Sequence, residues 1–149
     1  MVIYMARTEI AGMTELERTI RQLEQLPQKV VSKAARKGMT IPLKAARRSA
    51  PEEFGNLKRG IKLVGERSTV RGKKIYQVTF DKALNHVFVK TSKEGKRSYY
   101  PASQEYGFMT RDGGYVPGYH FLRNSMDDNV RQITETTVKV MTDEIDKIR

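Results

Sequence analysis

The side chains that could carry catalysis are few in this chain and badly spaced for it. There are two histidines, His86 and His120, far apart in sequence, and no cysteine. Adjacent acids occur as Glu52-Glu53, Asp127-Asp128 and Asp143-Glu144, and neighbouring residues on a helix do not face one another. No Gly-x-Ser-x-Gly, phosphate-loop or dinucleotide-binding glycine pattern is present. His120 with Asp112 and Glu105 is the one group that could converge on a metal ion. A histidine flanked by Tyr119 and Phe121 reads more simply as a packed side chain. His86, beside Val87, reads as a strand residue facing solvent or an interface. The expectation is a protein that is not an enzyme and that holds no metal and no cofactor.

The chemistry the chain does offer is positive charge. Its formal net charge is +11. Residues 1–28 hold three basic and four acidic side chains, residues 29–74 fourteen and three, and residues 75–149 eleven and ten. The whole excess therefore sits in one third of the chain, where Arg36, Lys37, Lys44, Arg47, Arg48, Lys58 and Arg59 concentrate it. Such a concentration attracts phosphates or an acidic protein surface. No helix-turn-helix, zinc-finger or RNA-binding motif accompanies it, and no aromatic residues interleave with it as a stacking platform would require. Contact with nucleic acid would be loose and independent of base sequence, and a solvated, solubilising face is the plainer alternative.

A second concentration is aromatic. Tyr99, Tyr100, Tyr106, Phe108, Tyr115 and Tyr119 fall within 21 residues. Tyrosine suits interfaces because a large apolar ring carries a polar tip. A contact region and a small tyrosine-rich core are the two readings of this cluster.

The elements that must position these groups fit one domain over residues 1–149. A domain of that size buries roughly 68–70% of its unfolded surface. No apolar run approaches the roughly 20 residues of a membrane span, and Met1 to Ala6 is too short for a signal peptide. The chain is expected to be made in the cytoplasm, with no membrane contact. Residues 1–12 read as an extended lead-in with Ile3, Tyr4 and Ile10 as contacts. Thr14 and Glu17 form a capping box, after which Leu16, Ile20, Leu23 and Leu26 share a helical face. Pro27 stops that helix or opens the next. A second helix is expected from Gln28 to Ser49, kinked near Gly38 and Pro42 and ended by Pro51. Strands are expected at Ile61–Val64, Ile75–Phe80, Val87–Val89 and Ser98–Tyr100, with a Lys-rich loop over Thr91–Ser98. Asp112-Gly113 marks a tight turn. From Phe121 onward Leu122, Met126, Val130, Ile133, Thr137, Met141, Ile145 and Ile148 predict one amphipathic helix of some seven turns. The fold class is α+β: a small antiparallel sheet packed with two N-terminal helices and one long C-terminal helix.

Short stretches punctuate these elements in a fixed order. Ala46-Arg47-Arg48-Ser49-Ala50-Pro51 closes the basic helix, and Gly55-Asn56-Leu57-Lys58-Arg59-Gly60-Ile61 follows. Glu105-Tyr106-Gly107 comes later, and Gly118-Tyr119-His120-Phe121-Leu122-Arg123 opens the terminal helix. The order resembles the tail-completion, or head–tail joining, component of lambda-like siphophages, a family that takes in the lambda minor tail protein Z type. It covers roughly residues 8–149. Two details depart from the family pattern: Phe108 follows Gly107 in place of threonine, and His120-Phe121-Leu122 stands where the family has Pro-Phe-Leu. The resemblance implies a structural virion protein of a tailed phage or prophage, assembled in the bacterial host cytoplasm. Copies would form a closed ring, six favoured, at the neck, where it completes the tail and joins it to the head. Its partners would be further copies, the tail tube and the head connector, with non-specific contact to the passing DNA. The basic and tyrosine residues would supply contacts. Pro51, Gly55, Leu57, Ile61, Glu105, Gly107, Phe121 and Leu122 would be structural. The alternative is a non-specific nucleic-acid-binding protein that uses residues 29–74.

Overall fold

The computed structural model describes residues 13–52 and 55–147. The lead-in at Ile3, Tyr4 and Ile10, the Glu17 half of the capping box, the side chains of Ile20, Leu23 and Leu26, and Ile148 lie outside the described residues. In chain order the elements are helix α1 (Met13–Ser49), α2 (Asn56–Gly60), strands β1 (Ile61–Gly65) and β2 (Tyr76–Phe80), a 3-10 turn (Lys82–Leu84), α3 (Asn85–Phe88), β3 (Val89–Thr91), β4 (Arg97–Tyr99), α4 (Tyr100–Tyr106), β5 (Gly107–Met109), β6 (Tyr115–Pro117), α5 (Phe121–Asp127) and α6 (Val130–Asp146). The class is α+β.

Neither proline ends α1, which runs for 37 residues through both Pro27 and Pro42. The two expected N-terminal helices are therefore one. Each proline deletes a single backbone bond, to the carbonyls of Leu23 and Gly38, and tertiary contacts outweigh that loss. Around Pro27 the loop between β1 and β2 clasps the helix. The Gln28 side-chain amide donates to Ser68 Oγ at 3.0 Å and to the Lys73 carbonyl at 3.2 Å, and its oxygen accepts from the Gly72 amide at 2.8 Å. The Arg71 guanidinium donates to the Glu24 carbonyl. Pro42 is fully buried, so its ring is part of the packing.

The buried line of α1 is Val30, Ala34, Gly38, Pro42 and Ala46, continued by Ala50 just past its end, spaced by four throughout. A row of i±4 positions is the ridge by which helices interdigitate, and here it is built mostly of small residues. Its middle meets α6: a Cβ on Gly38 would stand 2.2 Å from Thr137 Oγ1 and 3.3 Å from the Ile133 carbonyl. Its C-terminal end enters the main core, formed by Ala46, Ala50, Leu57, Ile61, Phe88 and Phe121. Phe80 meets Phe88 edge-on at 5.7 Å between centroids and Phe121 at 6.1 Å.

The single small sheet expected from the sequence is replaced, among the described residues, by three antiparallel two-stranded pairs: β1–β2, β3–β4 and β5–β6. β1–β2 pairs Ile61 with Phe80 through Gly65 with Tyr76. The β3–β4 pair, Val89 with Tyr99 through Thr91 with Arg97, takes in only the ends of the Lys-rich stretch, whose residues 92–96 form the expected loop between the two strands. The strand expected over Val87–Val89 begins as helix α3 instead. Asp81 caps the preceding turn, its carboxylate accepting from the Ala83 amide at 3.0 Å, and the helical winding carries Phe88 into the core.

The terminal helix is also shorter than its periodicity suggests. It breaks at Asp128 and Asn129, where the Asn129 side-chain amide donates to the Ser125 carbonyl at 2.9 Å and competes with the backbone ladder. The apolar positions of α6 consequently divide. Ile133, Thr137 and Val140 are half-buried, whereas Val130, Val138 and Ile145 are at least half exposed.

Candidate functional site

The two glycine-containing stretches that carry the resemblance meet in space. Glu105, at the end of α4 and 4% exposed, points its carboxylate at the start of α5. There Oε2 accepts from the Leu122 amide at 2.9 Å and Oε1 from the Arg123 amide at 3.0 Å. A carboxylate at a helix N-terminus satisfies amides that have no partner inside the helix and meets the positive end of its dipole. The backbone adds two further bonds, from Tyr119 to the Gln104 carbonyl (2.8 Å) and from His120 to the Glu105 carbonyl (3.0 Å).

Two glycines allow this closeness. Gly107 has φ 87°, and a Cβ there would lie 2.2 Å from the Val116 carbonyl. A Cβ on Gly118 would lie 2.2 Å from the Glu105 carbonyl and 2.5 Å from the Gly107 amide. His120 takes φ 50° as the residue that turns the chain into α5. Phe121 is then buried in the core and Leu122 packs against it, while Leu57 and Ile61 fill the same core from α2 and β1. Pro51 and Gly55 sit in the α1–α2 connection, Gly55 at φ 67° as the residue before α2.

From this root projects the β5–β6 hairpin, closed at Asp112-Gly113 by the bond from the Thr110 amide to the Gly114 carbonyl (2.7 Å). Paired residues share a face, so Phe108 and Val116 lie on one side and Met109 and Tyr115 on the other. All four are exposed, as are Tyr106 and Tyr119 at its base. The Tyr115 hydroxyl donates to the Tyr106 carbonyl at 2.6 Å. Of the tyrosine cluster, Tyr100 is half-buried against the core, and Tyr99 packs edge-on to Phe88 at 6.1 Å, its hydroxyl pKa pushed up by burial. The cluster thus divides: Tyr99 and Tyr100 lean on the core, and the rest form an outward surface. Met109 and Val116 belong to the same outward surface, and no spacing in the sequence distinguished them from core positions.

The basic residues divide as well. Lys29, Lys33, Arg36, Lys37, Lys44 and Arg48 lie within about 120° of the α1 circumference, a ridge about 29 Å long. No acid occurs between residues 29 and 48. The side chains of Arg36, Lys37, Lys44, Arg48 and Arg59 have no hydrogen-bond or ion-pair partner among the described residues. Beside the ridge lies a polar concavity lined by Ser32, Arg36, Lys37, Thr40 and Tyr76. Arg47 departs from this group: its guanidinium donates twice to the Ile61 carbonyl, at 2.8 and 3.0 Å, tying α1 to β1. Lys58 is held by Glu52, whose carboxyl lies below its ordinary value because of that bond and charge.

Two of the adjacent acids near the C-terminus are held in ion pairs. Asp127 pairs with Arg123, and Glu144 bridges Lys147 and Lys33, which fastens α6 to α1. The Nδ1 of His86 bonds the Ala83 carbonyl at 2.9 Å. His120 Nδ1 is buried with no partner among the described residues. Among the described residues no three His, Asp or Glu side chains converge as a metal site, and no helix is long and apolar enough to cross a membrane. Compared with protein-family models, with curated proteins and with solved structures, the chain matches none.

Proposed function

We propose that the chain is a structural virion subunit of a tailed phage or prophage. Copies close into a ring, six favoured, at the head-proximal end of the tail, completing the tail and giving the filled head a surface to join. Partners are further copies, the tail tube and the head connector, and no bond is made or broken. The observation that carries this reading is the β5–β6 hairpin. Both its faces are apolar and exposed, and it is rooted by the Glu105–Gly107 and Gly118–Leu122 stretches on which the resemblance rests. An isolated two-stranded hairpin is marginal in water, and one that exposes two apolar faces calls for burial by a neighbour. The ridge on α1, where Arg36, Lys37, Lys44 and Arg48 have no partner among the described residues, suits the wall of a channel through which DNA passes.

The test is light scattering coupled to size exclusion, on nuclease-treated protein at moderate and at high salt. A ring-sized mass that persists in high salt is expected, because buried apolar area resists screening. A mass that collapses on nuclease or salt treatment overturns it in favour of the second reading, a non-specific nucleic-acid-binding protein. The ridge itself favours that reading, and such binding falls roughly 10³-fold or more between 50 and 200 mM salt when six or more phosphates are engaged.

A further inference from the structure

Helix α1 places one kind of side chain in water. Between residues 28 and 48 every exposed position is lysine or arginine. Lys33 is held by Glu144, and Arg47 by the Ile61 carbonyl. Lys29, Arg36, Lys37, Lys44 and Arg48 keep their charge without a partner among the described residues. A solubilising surface intersperses both signs, and a protein–protein interface centres on apolar or aromatic anchors with charge depleted. This strip has neither feature.

A polar concavity bounds the strip on each side. On one side α1 faces β2, where Ser32, Arg36, Lys37 and Tyr76 line the hollow and Lys74 stands 5.3 Å from the centre of the Tyr76 ring. On the other side α1 faces the start of α6, where Lys44, Arg48, Ser49, Asn129 and Gln132 line the hollow. No acid lines either one. Arg36 belongs to the first and Arg48 to the second. Their separation in sequence corresponds to about 120° around the helix and about 18 Å along it, with the lysines on the crest between them.

Anion seats thus flank one helix on both sides. A single strand carries one backbone and needs rings to stack on, and the crest has none. Duplex RNA has a major groove too narrow for a helix to enter. The B-form major groove, about 12 Å wide, admits a helix about 10–12 Å across and lays one backbone along each flank.

We infer, resting on the DNA contact that both functional readings give this ridge, that α1 lies in the major groove of B-form DNA, with Arg36 on a phosphate of one strand and Arg48 on a phosphate of the other. Arginine suits both seats because its planar fork binds phosphate oxygens in pairs. The crest lysines add point charges. The contacts are to phosphates, so base sequence is not read.

The test is fluorescence anisotropy of the full chain with a labelled DNA duplex of about 20 base pairs and mixed sequence, between about 50 and 200 mM salt. Five unpartnered bases predict a salt slope of about −4.5. Arg36→Ala and Arg48→Ala should each weaken binding about fivefold and lower the slope by about 1. Both side chains are exposed, so circular dichroism and melting should match the parent. Replacing Lys93 and Lys96 together by alanine, on the exposed β3–β4 tip, should change binding by less than about twofold. The DNA duplex should be preferred about tenfold over the same sequence as a single strand or as duplex RNA. Glucosylated hydroxymethyl groups on cytosine C5, which project into the major groove, should weaken binding by a similar factor.

Equal affinity for the three nucleic acids, or no loss from the C5 groups, overturns the major-groove seat and leaves a plain electrostatic contact. Losses from the two arginine variants no larger than that from the Lys93 and Lys96 pair overturn it likewise. No binding of any nucleic acid at the lowest salt overturns the DNA contact as a whole and assigns the strip to an acidic protein. Light scattering on the double variant Arg36→Ala, Arg48→Ala separates this from assembly. A mass equal to the parent's is expected, and a smaller one places the strip between copies and overturns the inference.

Discussion

The carboxylate of Glu105 closes the first turn of α5 by accepting the amides of Leu122 and Arg123, 17 and 18 residues downstream. One buried side chain thereby joins the two sequence stretches that bracket the hairpin. Replacing it by alanine removes two charge-assisted bonds and leaves those amides unpaired. Glu105→Ala should cost about 2–4 kcal/mol in urea unfolding, and Glu105→Gln, which keeps one acceptor, less than half of that. Equal losses for the two would show that shape, not the carboxylate, matters here.

Gly118 touches backbone, which has no alternative rotamer to retreat to. Gly118→Ala should destabilise the chain by about 2 kcal/mol or more, with hydrogen exchange accelerated first at Tyr119 and His120. Uniform acceleration over the whole chain would place the damage in global stability and count against a local clasp.

Gly38 presents the opposite balance. An alanine in an isolated helix gains about 1 kcal/mol over glycine, yet at this position its Cβ meets Thr137. Gly38→Ala should therefore lower stability by about 1–3 kcal/mol, and adding Thr137→Ala should recover most of it. Simple additivity of the two substitutions would deny the close approach of α1 and α6.

Arg47 and Arg48 are neighbours with different work. Arg47→Ala loses both bonds to the Ile61 carbonyl and should cost about 1–2 kcal/mol of stability. Arg48→Ala should leave the melting temperature alone while reducing any salt slope of DNA binding by about 1. A reversed pattern would move the ridge to the other side of α1.

The carboxyl of Asp81 lies below its ordinary value, first because Lys62 donates to it at 2.9 Å and then because the Ala83 amide does. A depressed folded value means that the stabilisation is full above the ordinary aspartate range and is lost as pH falls through the lowered value. Asp81→Asn should melt earlier than the parent at neutral pH, and the gap should close in strong acid. A gap of constant size across that range would exclude the ion pair as its source.

Alternation marked β1 and β2, Asp112-Gly113 marked the tight turn, and the resemblance marked Leu57, Ile61 and Phe121 as structural, all three of which lie in the core. These positions follow from short-range alternation or from one apolar residue between glycines, which local physics determines. Pro27 misled because its cost is local while the clasp at Gln28 comes from distant residues, whereas Pro42 stands inside the helix as expected. The α6 periodicity misled in a different way. A line of Val130, Ile133, Thr137, Met141 and Ile145 has one apparent face in sequence, but the approach through Gly38 turns only part of it inward. Within the basic segment, nothing in residue type separates Arg47, bound to β1, from Arg48, which faces solvent.

None of the core residues lies between Gly107 and Gly118. The hairpin is therefore a cassette: its root is specified by Glu105, the two glycines and the turn into Phe121, while the exposed side chains of Phe108, Met109 and Val116 answer to whatever they touch outside. Sequence at those three positions is free to change at the pace of a partner without disturbing the fold that carries it. A family built on this plan would keep its clasp and exchange its fingertips.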